Sequence, residues 1–190
     1  MTSLFPVFLK LDGRRVLLVG GGRVAAGKLR ALLDAGACVT VVAPSILEEI
    51  AAAPVSIARR AFSPEDLDGV WFVVAAGTPD VNREVARCAS QRAIFVNAVD
   101  DVQNASAYLG GVVRRDGVTV AVSTDGAAPA LAGLLREGLD ALLPADLDAW
   151  MTCAGETRRQ WLADRVPMEE RRPRLLDALV TLYRRREEVS

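Results

Sequence analysis

A strand, a glycine turn and a helix run together between Arg15 and Ala37, and no other stretch constrains the fold as tightly. Val16, Leu17, Leu18 and Val19 form a short apolar run suited to a buried strand, and Gly20, Gly21 and Gly22 follow at once. Gly20 lets the chain turn where φ must be positive, and Gly22 leaves out the side chain that would block a pyrophosphate. Ala25 takes the third small position, where helix and strand pack closely. The helix is expected from about Val24, with Leu29, Leu32 and Leu33 on one face and Gly36 ending it. Its free N–H groups and its dipole favour a negatively charged group. A G-x-G-x-x-A match alone is weak, but a strand before it and a helix after it point to a dinucleotide site.

The next landmark of such a site is missing. The second apolar run, Cys38–Val42, ends in Ala43-Pro44-Ser45, with no Asp or Glu to accept a ribose 2′-hydroxyl. The pattern therefore indicates a dinucleotide without choosing between NAD and NADP. Lys28 lies within the helix and outside any G-x-x-x-x-G-K-[ST] context, so a nucleoside-triphosphate loop is not indicated. Arg23, beside the glycines, suits either a phosphate contact or a solvated helix start.

The chain has 190 residues, 51% of them hydrophobic and 25% charged, which fits a nucleotide-binding core with a smaller appendage. No run approaches the ~20 apolar residues of a membrane helix. No basic stretch leads into an apolar one at the start, so a cytoplasmic location is expected. Cys38, Cys88 and Cys153 are scattered, and buried thiols are expected at Cys38 and Cys88 rather than a disulfide scaffold or zinc site. With no histidine in the sequence, Ser-His-Asp and Cys-His mechanisms are excluded, as are the common histidine metal sites. Proton transfer falls to Asp, Glu, Lys, Tyr, Cys or water. The formal net charge of −1 gives no general attraction to nucleic acid.

Further strands are expected at Val55–Ala58, Val70–Ala76 and Ala93–Val96, with Asn97 following the last directly. Helices are expected over 46–53, at the Ser63-Pro64 cap and from Pro79. This alternation predicts an α/β, Rossmann-like parallel sheet in the N-terminal part. The pattern then changes. Tyr108–Arg115 and Val118–Ser123 flank Asp116-Gly117, a strong hairpin signal. A helix follows over 128–143, and two more over about 146–165 and 171–186, divided by Pro167 and Pro173, form a small C-terminal helical region.

Ligands of an open α/β sheet bind beyond the carboxyl ends of its strands. Three segments reach that edge: the glycine turn, Ala75-Ala76-Gly77-Thr78 and Asn97-Ala98-Val99-Asp100-Asp101. The first two are small or apolar, as suits a surface beside a dinucleotide. The third brings carboxylates, and Asp100 is the first candidate for proton transfer, ahead of Asp101. Asn97 is expected to tie the loop to ligand or backbone. A second cluster, Ser123-Thr124-Asp125-Gly126, opens the long helix; it suits either an anion-binding corner or an ordinary cap. Arg136, Arg114, Arg115, Arg158 and Arg159 suit either anionic ligands or solvent.

Taken together, these segments resemble the siroheme synthase N-terminal domain, which also occurs as stand-alone precorrin-2 dehydrogenases. The resemblance rests on Phe5-Pro6-Val7-Phe8, Val19-Gly20-Gly21-Gly22-Arg23-Val24-Ala25 with Lys28, Val42-Ala43-Pro44 and Asn97-Ala98-Val99-Asp100-Asp101. It continues through Val120-Ala121-Val122-Ser123, Gly126, Pro129 and Leu135-Arg136, covering about three quarters of the chain. The missing acidic residue is normal for this family. The resemblance implies NAD-dependent oxidation of precorrin-2 to sirohydrochlorin, in siroheme and hence porphyrin-type tetrapyrrole biosynthesis. Fe²⁺ enters only as a substrate of those members that also insert it. The alternatives are that bifunctional dehydrogenase and ferrochelatase, or a non-catalytic NAD- and tetrapyrrole-binding protein.

The resemblance also carries residue roles. Asp100 takes the place of the catalytic base. Cofactor contacts fall on Arg23, Val24, Pro44 and Ser45, joining Gly20, Gly21, Gly22, Ala25, Ala76, Gly77 and Thr78. Substrate contacts are expected at Asn97, Ser123, Thr124 and Arg136, with no resident metal. The implied division is an NAD-binding Rossmann domain over 1–112, a hairpin-and-helix dimerisation segment over 113–145 and a C-terminal helical domain over 146–190. Members form homodimers, and neither nucleic acid nor membrane is an expected partner. At 190 residues the methyltransferase domain fused to some members is not expected here. Two stretches depart from the family pattern. Ser106-Ala107-Tyr108-Leu109-Gly110-Gly111 stands where members often have an aromatic residue and a proline, and Thr124-Asp125 stands where a serine and a glycine are common.

Overall fold

The computed structural model describes Leu4–Val99 and Asp101–Glu187, with side chains through Leu182; Asp100 lies outside the described residues. The chain divides into two compact units. One runs to Leu109 and takes in Asp125–Ala127; the other holds Gly110–Thr124 and the residues from Ala128 onward.

The first unit is built on a five-stranded sheet. Its strands are β1 (Arg15–Val19), β2 (Cys38–Val42), β3 (Ser56–Ala58), β4 (Phe72–Ala75) and β5 (Phe95–Ala98). They run parallel in the order β3-β2-β1-β4-β5. Order reverses between β1 and β4, which is where an open α/β sheet leaves its ligand crevice. The helices are α1 (Arg23–Asp34), α2 (Glu48–Ala51) and α3 (Pro79–Gln91), with a 3-10 turn at Pro64–Leu67.

Side-chain alternation sorts the apolar residues onto two faces. Val16 and Leu18 of β1 pack with Val39, Val41, Phe72 and Val74 under Ala25, Leu29 and Leu32 of α1. Leu17 and Val19 point the other way, joining Val42, Val73 and Ala75 under Val85, Ala86 and Ala89 of α3. A strand buried on both faces has no polar alternation, which is why β1 and β4 read as continuous apolar runs.

Several boundaries differ from the sequence expectation, each for a local reason. α2 begins only at Glu48, because Leu47 is extended and its N–H donates to Gly21 O at 2.9 Å. The Ser63-Pro64 cap opens a 3-10 turn. β5 starts at Phe95 and includes Asn97, because Ala93 sits at φ +54° in the turn that ends α3. Cys88 is buried as expected, but Cys38, at the start of β2, is exposed.

The second unit begins with an antiparallel hairpin of β6 (Gly111–Arg115) and β7 (Val118–Val122). Asp116 at φ +50° and Gly117 at φ +83° make its two-residue turn, as the Asp-Gly pair predicts. Helices α4 (Pro129–Leu142), α5 (Leu147–Ala163) and α6 (Met168–Glu187) follow. α4 lies close against β6: a Cβ on Gly111 would come within 3.0 Å of Ala132 O and 3.2 Å of Arg136 Cβ. Arg115 pins the hairpin by donating to Pro144 O at 3.2 Å and pairing with Asp140. Pro173 does not delimit α6, which starts earlier, at Met168, and carries the proline in its second turn. Early in a helix a proline removes few backbone bonds. Among the described residues no helix is long and apolar enough to cross a membrane.

Candidate active site

The glycine loop shows why three glycines are needed and why their needs differ. Gly20 is buried at φ +130°, where a Cβ would overlap the Ala76 carbonyl oxygen and lie 2.7 Å from its carbon. Its N–H donates to Val42 O at 3.0 Å, tying the loop to the end of β2. Gly21 is blocked by the other neighbour: a Cβ there would overlap Ser45 O and lie 2.8 Å from Ile46 Cα. Gly22 is different. It caps α1 in extended conformation, and a Cβ on it would meet nothing within 4 Å.

That open space borders the start of α1. The helix has no side-chain cap hydrogen bond and no acidic residue in its first turn, so neither offsets the partial positive charge of its N-terminal N–H groups. Arg23 and Val24 are exposed there, with Val24 at 50% although it is apolar. Ala25 is fully buried, where the helix meets the sheet. Pro44 and Ser45 are exposed on the loop after β2, so the second strand presents no carboxylate at this edge. These features fit a dinucleotide: a cradle closed by backbone at Gly20 and Gly21 and open at Gly22.

Ala76, Gly77 and Thr78 form the loop after β4, the last two exposed and Thr78 capping α3. Asn82, in the first turns of α3, holds this loop. Its Oδ1 accepts from the Gly77 N–H at 2.9 Å, and its Nδ2 donates to Val99 O at 3.5 Å. The sequence reading missed Asn82 because a single polar residue on the third helix carries no motif. Its signal was an asparagine on an otherwise apolar helix face that includes Val85 and Ala89.

The loop after β5 folds back along that edge strand. Val96 N–H donates to Ser106 Oγ, and Val96 O accepts from both Ser106 and Ala107 N–H, each at 2.9 Å. Asn97 is buried within β5, donating through Nδ2 to Ala107 O at 3.0 Å, while its Oδ1 has no partner among the described residues. This is the backbone tie expected of it. Asp101, the weaker acid-base candidate, is occupied: its oxygens accept from the backbone N–H and Nδ2 of Asn104, at 3.3 and 2.7 Å. The carboxylate thus holds the turn that follows Ala98. Gly126 packs against this same loop, where a Cβ would lie 2.6 Å from Val102 Cγ2.

In the second unit, Thr124 Oγ1 accepts from the Ala128 N–H at 3.2 Å, a bond that closes the turn before α4 while the helix itself has no side-chain cap. Ser123 is exposed. Asp125, which belongs to the first unit, is exposed at φ +53°, a left-handed conformation that glycine and short polar residues adopt most readily. Arg136 is half-buried, its stem beside Gly111 and its guanidinium paired with Glu137 at 2.9 Å. Arg115 is committed to the hairpin, whereas Arg114, Arg158 and Arg159 are exposed. Among the described residues no group of three or more His, Cys, Asp or Glu side chains is placed to hold a metal ion.

Residues 7–111 match the model of a family described as "Putative NAD(P)-binding". The chain is similar to siroheme synthase 3 of Aeromonas hydrophila, with 48% identity over 88% of this chain and 37% of that protein. Siroheme synthase 1 of Aeromonas salmonicida is 46% identical over 91% of this chain and 39% of its own length. The chain thus spans well under half of these curated relatives. Among solved structures it is similar to SirC, precorrin-2 dehydrogenase, with a TM-score of 0.69 and 27% identity, covering 92% of this chain and 88% of that one.

Proposed function

The chain belongs to the NAD(P)-binding family of siroheme synthase N-terminal and precorrin-2 dehydrogenase domains, and from that premise we propose that it oxidises precorrin-2 to sirohydrochlorin. The observation that carries the reading is the glycine loop, closed by backbone at Gly20 and Gly21 and open at Gly22 beside an uncapped helix start.

NAD is the proposed cofactor, and when bound it supplies the hydride acceptor. The chain's own work is to bind and orient. Gly20, Gly21, Gly22 and the first turn of α1, with Arg23 and Val24, are proposed to hold the pyrophosphate. Pro44 and Ser45 would flank the adenosine, and Ala76, Gly77 and Thr78 would line the path toward β5. Oxidation of precorrin-2 removes two electrons and two protons: one hydride leaves a ring-system carbon and one proton is released. We assign that proton to the Asp100 carboxylate, the acid that follows Val99 in sequence. The commitment of Asp101 to Asn104 leaves Asp100 the stronger candidate of the two. A histidine-free chain needs no other base for this step.

Asn97, Ser123, Thr124 and Arg136 remain the proposed contacts for the polycarboxylate substrate. Of the arginines, Arg115 is withdrawn from this role because the hairpin uses it. A homodimer is also proposed, with the 113–145 segment as its interface. An apolar stripe on α4 supports it: Leu131, Leu134, Leu135 and Leu142 are all 46% exposed or more.

The test supplies purified protein with precorrin-2 and NAD and follows NADH absorbance and the sirohydrochlorin spectrum. Turnover that Asp100→Asn removes is the expected result. Tight binding of both ligands without NADH would mark a non-catalytic binding protein instead. Adding Fe²⁺ once NADH formation stops separates the two enzymatic readings, since a siroheme spectrum above the no-enzyme control marks a bifunctional enzyme.

A further inference from the structure

Asn82 and Asn97 are the buried polar side chains among the described residues, and the proposed chemistry uses Asn82 nowhere. A buried amide is costly unless its groups are paired, so its partners indicate what it is for. Asn82 lies 4% exposed on α3, and neither partner belongs to its own helix. It accepts from Gly77 N–H in the loop after β4 and donates to Val99 O in the loop after β5. Those strands are neighbours, and both loops emerge at their carboxyl ends.

The segment around Val99 is held from several directions. Val99 N–H donates to Ala75 O at 2.9 Å, so both backbone polar groups of this residue are tied to β4 or α3. Just beyond, Asp101 N–H donates to Ala98 O at 3.3 Å, and the Asp101 carboxylate is held by Asn104. Gly77 leaves room for this arrangement, since a Cβ on it would come within 3.1 Å of Val81 and 3.6 Å of Asn82 Oδ1. The loop that would line the cofactor and the loop that carries the proposed base therefore share one side-chain clamp.

We propose that Asn82 is a positioning residue, bridging Gly77 N–H to Val99 O so that the cofactor loop and the Val99 backbone, which precedes the proposed base in sequence, keep one fixed relation. The proposal rests on the dehydrogenase reading. Its role is geometric: Asn82 touches neither substrate nor cofactor, and it acts through the two backbones it joins. A displacement of about 1 Å at a reacting group costs up to ~100-fold in rate.

The experiment compares Asn82→Ala and the isosteric Asn82→Asp, which keeps an acceptor for Gly77 N–H but loses the amide donor to Val99 O. Both are expected to lower kcat at least about tenfold with KM for precorrin-2 and NAD affinity within about threefold of wild type. In an Asp100→Asn background, followed by single-turnover NADH absorbance, Asn82→Ala should cost almost nothing further, because both changes damage one function. Amide hydrogen exchange provides a readout independent of activity: Gly77 N–H should lose protection in Asn82→Ala. Wild-type kcat in either folded variant, a fully additive loss in the double variant, or unchanged Gly77 exchange overturns the proposal. Wild-type protein that makes no NADH overturns the dehydrogenase reading, and the exchange measurement then decides the clamp alone.

Discussion

Gly20 and Ala76 are so close that a Cβ on the glycine would overlap the alanine's carbonyl oxygen. This contact welds the glycine loop to the loop after β4, and it separates two glycines that a sequence motif treats alike. Gly20→Ala must move a strand end while holding φ near +130°, and a loss of at least ~2 kcal/mol is expected by urea denaturation. Gly22→Ala meets only open space, so its stability cost should stay within ~1 kcal/mol. Its cost should appear instead in NAD affinity, lowered tenfold or more in a fluorescence titration with NADH. Wild-type affinity in Gly22→Ala would place the pyrophosphate elsewhere.

The glycine pair also marks how far the sequence could be read. Continuous apolar runs and glycine punctuation located β1, β2 and β4 because strands buried on both faces must be written that way. The Asp116-Gly117 turn was legible because two consecutive positive φ values leave few residue choices. Less legible was anything set by backbone contacts between distant segments. The bond from Leu47 N–H to Gly21 O shortened α2, and the left-handed Ala93 moved the start of β5. Asn82 was invisible for the same reason: its partners are a backbone N–H and a backbone carbonyl, which no residue type announces. Asp101 and Arg115 carried suitable chemistry by type, but their atoms are engaged in holding a turn and a hairpin.

Asp66 gives a pH-dependent stability term remote from the glycine loop. The bidentate hydrogen bond from Arg60, at 2.7 and 2.5 Å, holds its carboxyl below the usual range, and the Ser63 N–H adds to this at 2.9 Å. A pKa depressed in the folded state contributes stability that is fully present above the unfolded value of about 4. That contribution is lost as pH falls through the folded pKa. Arg60 is half exposed, so solvent screens the pair and its contribution stays small. Asp66→Asn should lower stability at pH 7 by about 1 kcal/mol, and the gap should close in acid below pH 4. A gap that persists unchanged at pH 2.5 would show that charge plays no part.

Asp125 offers a test of the substrate's polyanionic character. Its φ of +53° tolerates asparagine as readily as aspartate, so Asp125→Asn removes the charge and leaves the backbone alone. If the cluster beginning at Ser123 receives substrate carboxylates, KM for precorrin-2 should fall several-fold at low ionic strength. The difference should shrink near 0.5 M salt, where the Debye length drops well below 10 Å. An unchanged KM at every salt concentration would remove this corner from the substrate site.

α4 supplies the last test. Leu131, Leu134, Leu135 and Leu142 fall within about 100° of arc on a 3.6-residue helix, and Gly138 sits within the same arc. The opposite side carries Ala132, Arg136 and Asp140, the residues that meet the hairpin or its arginine. One side of the helix is thus committed within its own unit, and the other presents large apolar side chains, Leu134 at 66% and Leu142 at 79% exposed. Burying one such leucine is worth about 1.5–3 kcal/mol, so placing a charge in the stripe should outweigh several neutral contacts. In the proposed homodimer, Leu134→Glu is expected to shift the equilibrium toward monomer in sedimentation velocity while the circular dichroism spectrum stays that of the wild type. A dimer of undiminished stability in Leu134→Glu would exclude this face of α4 as the interface.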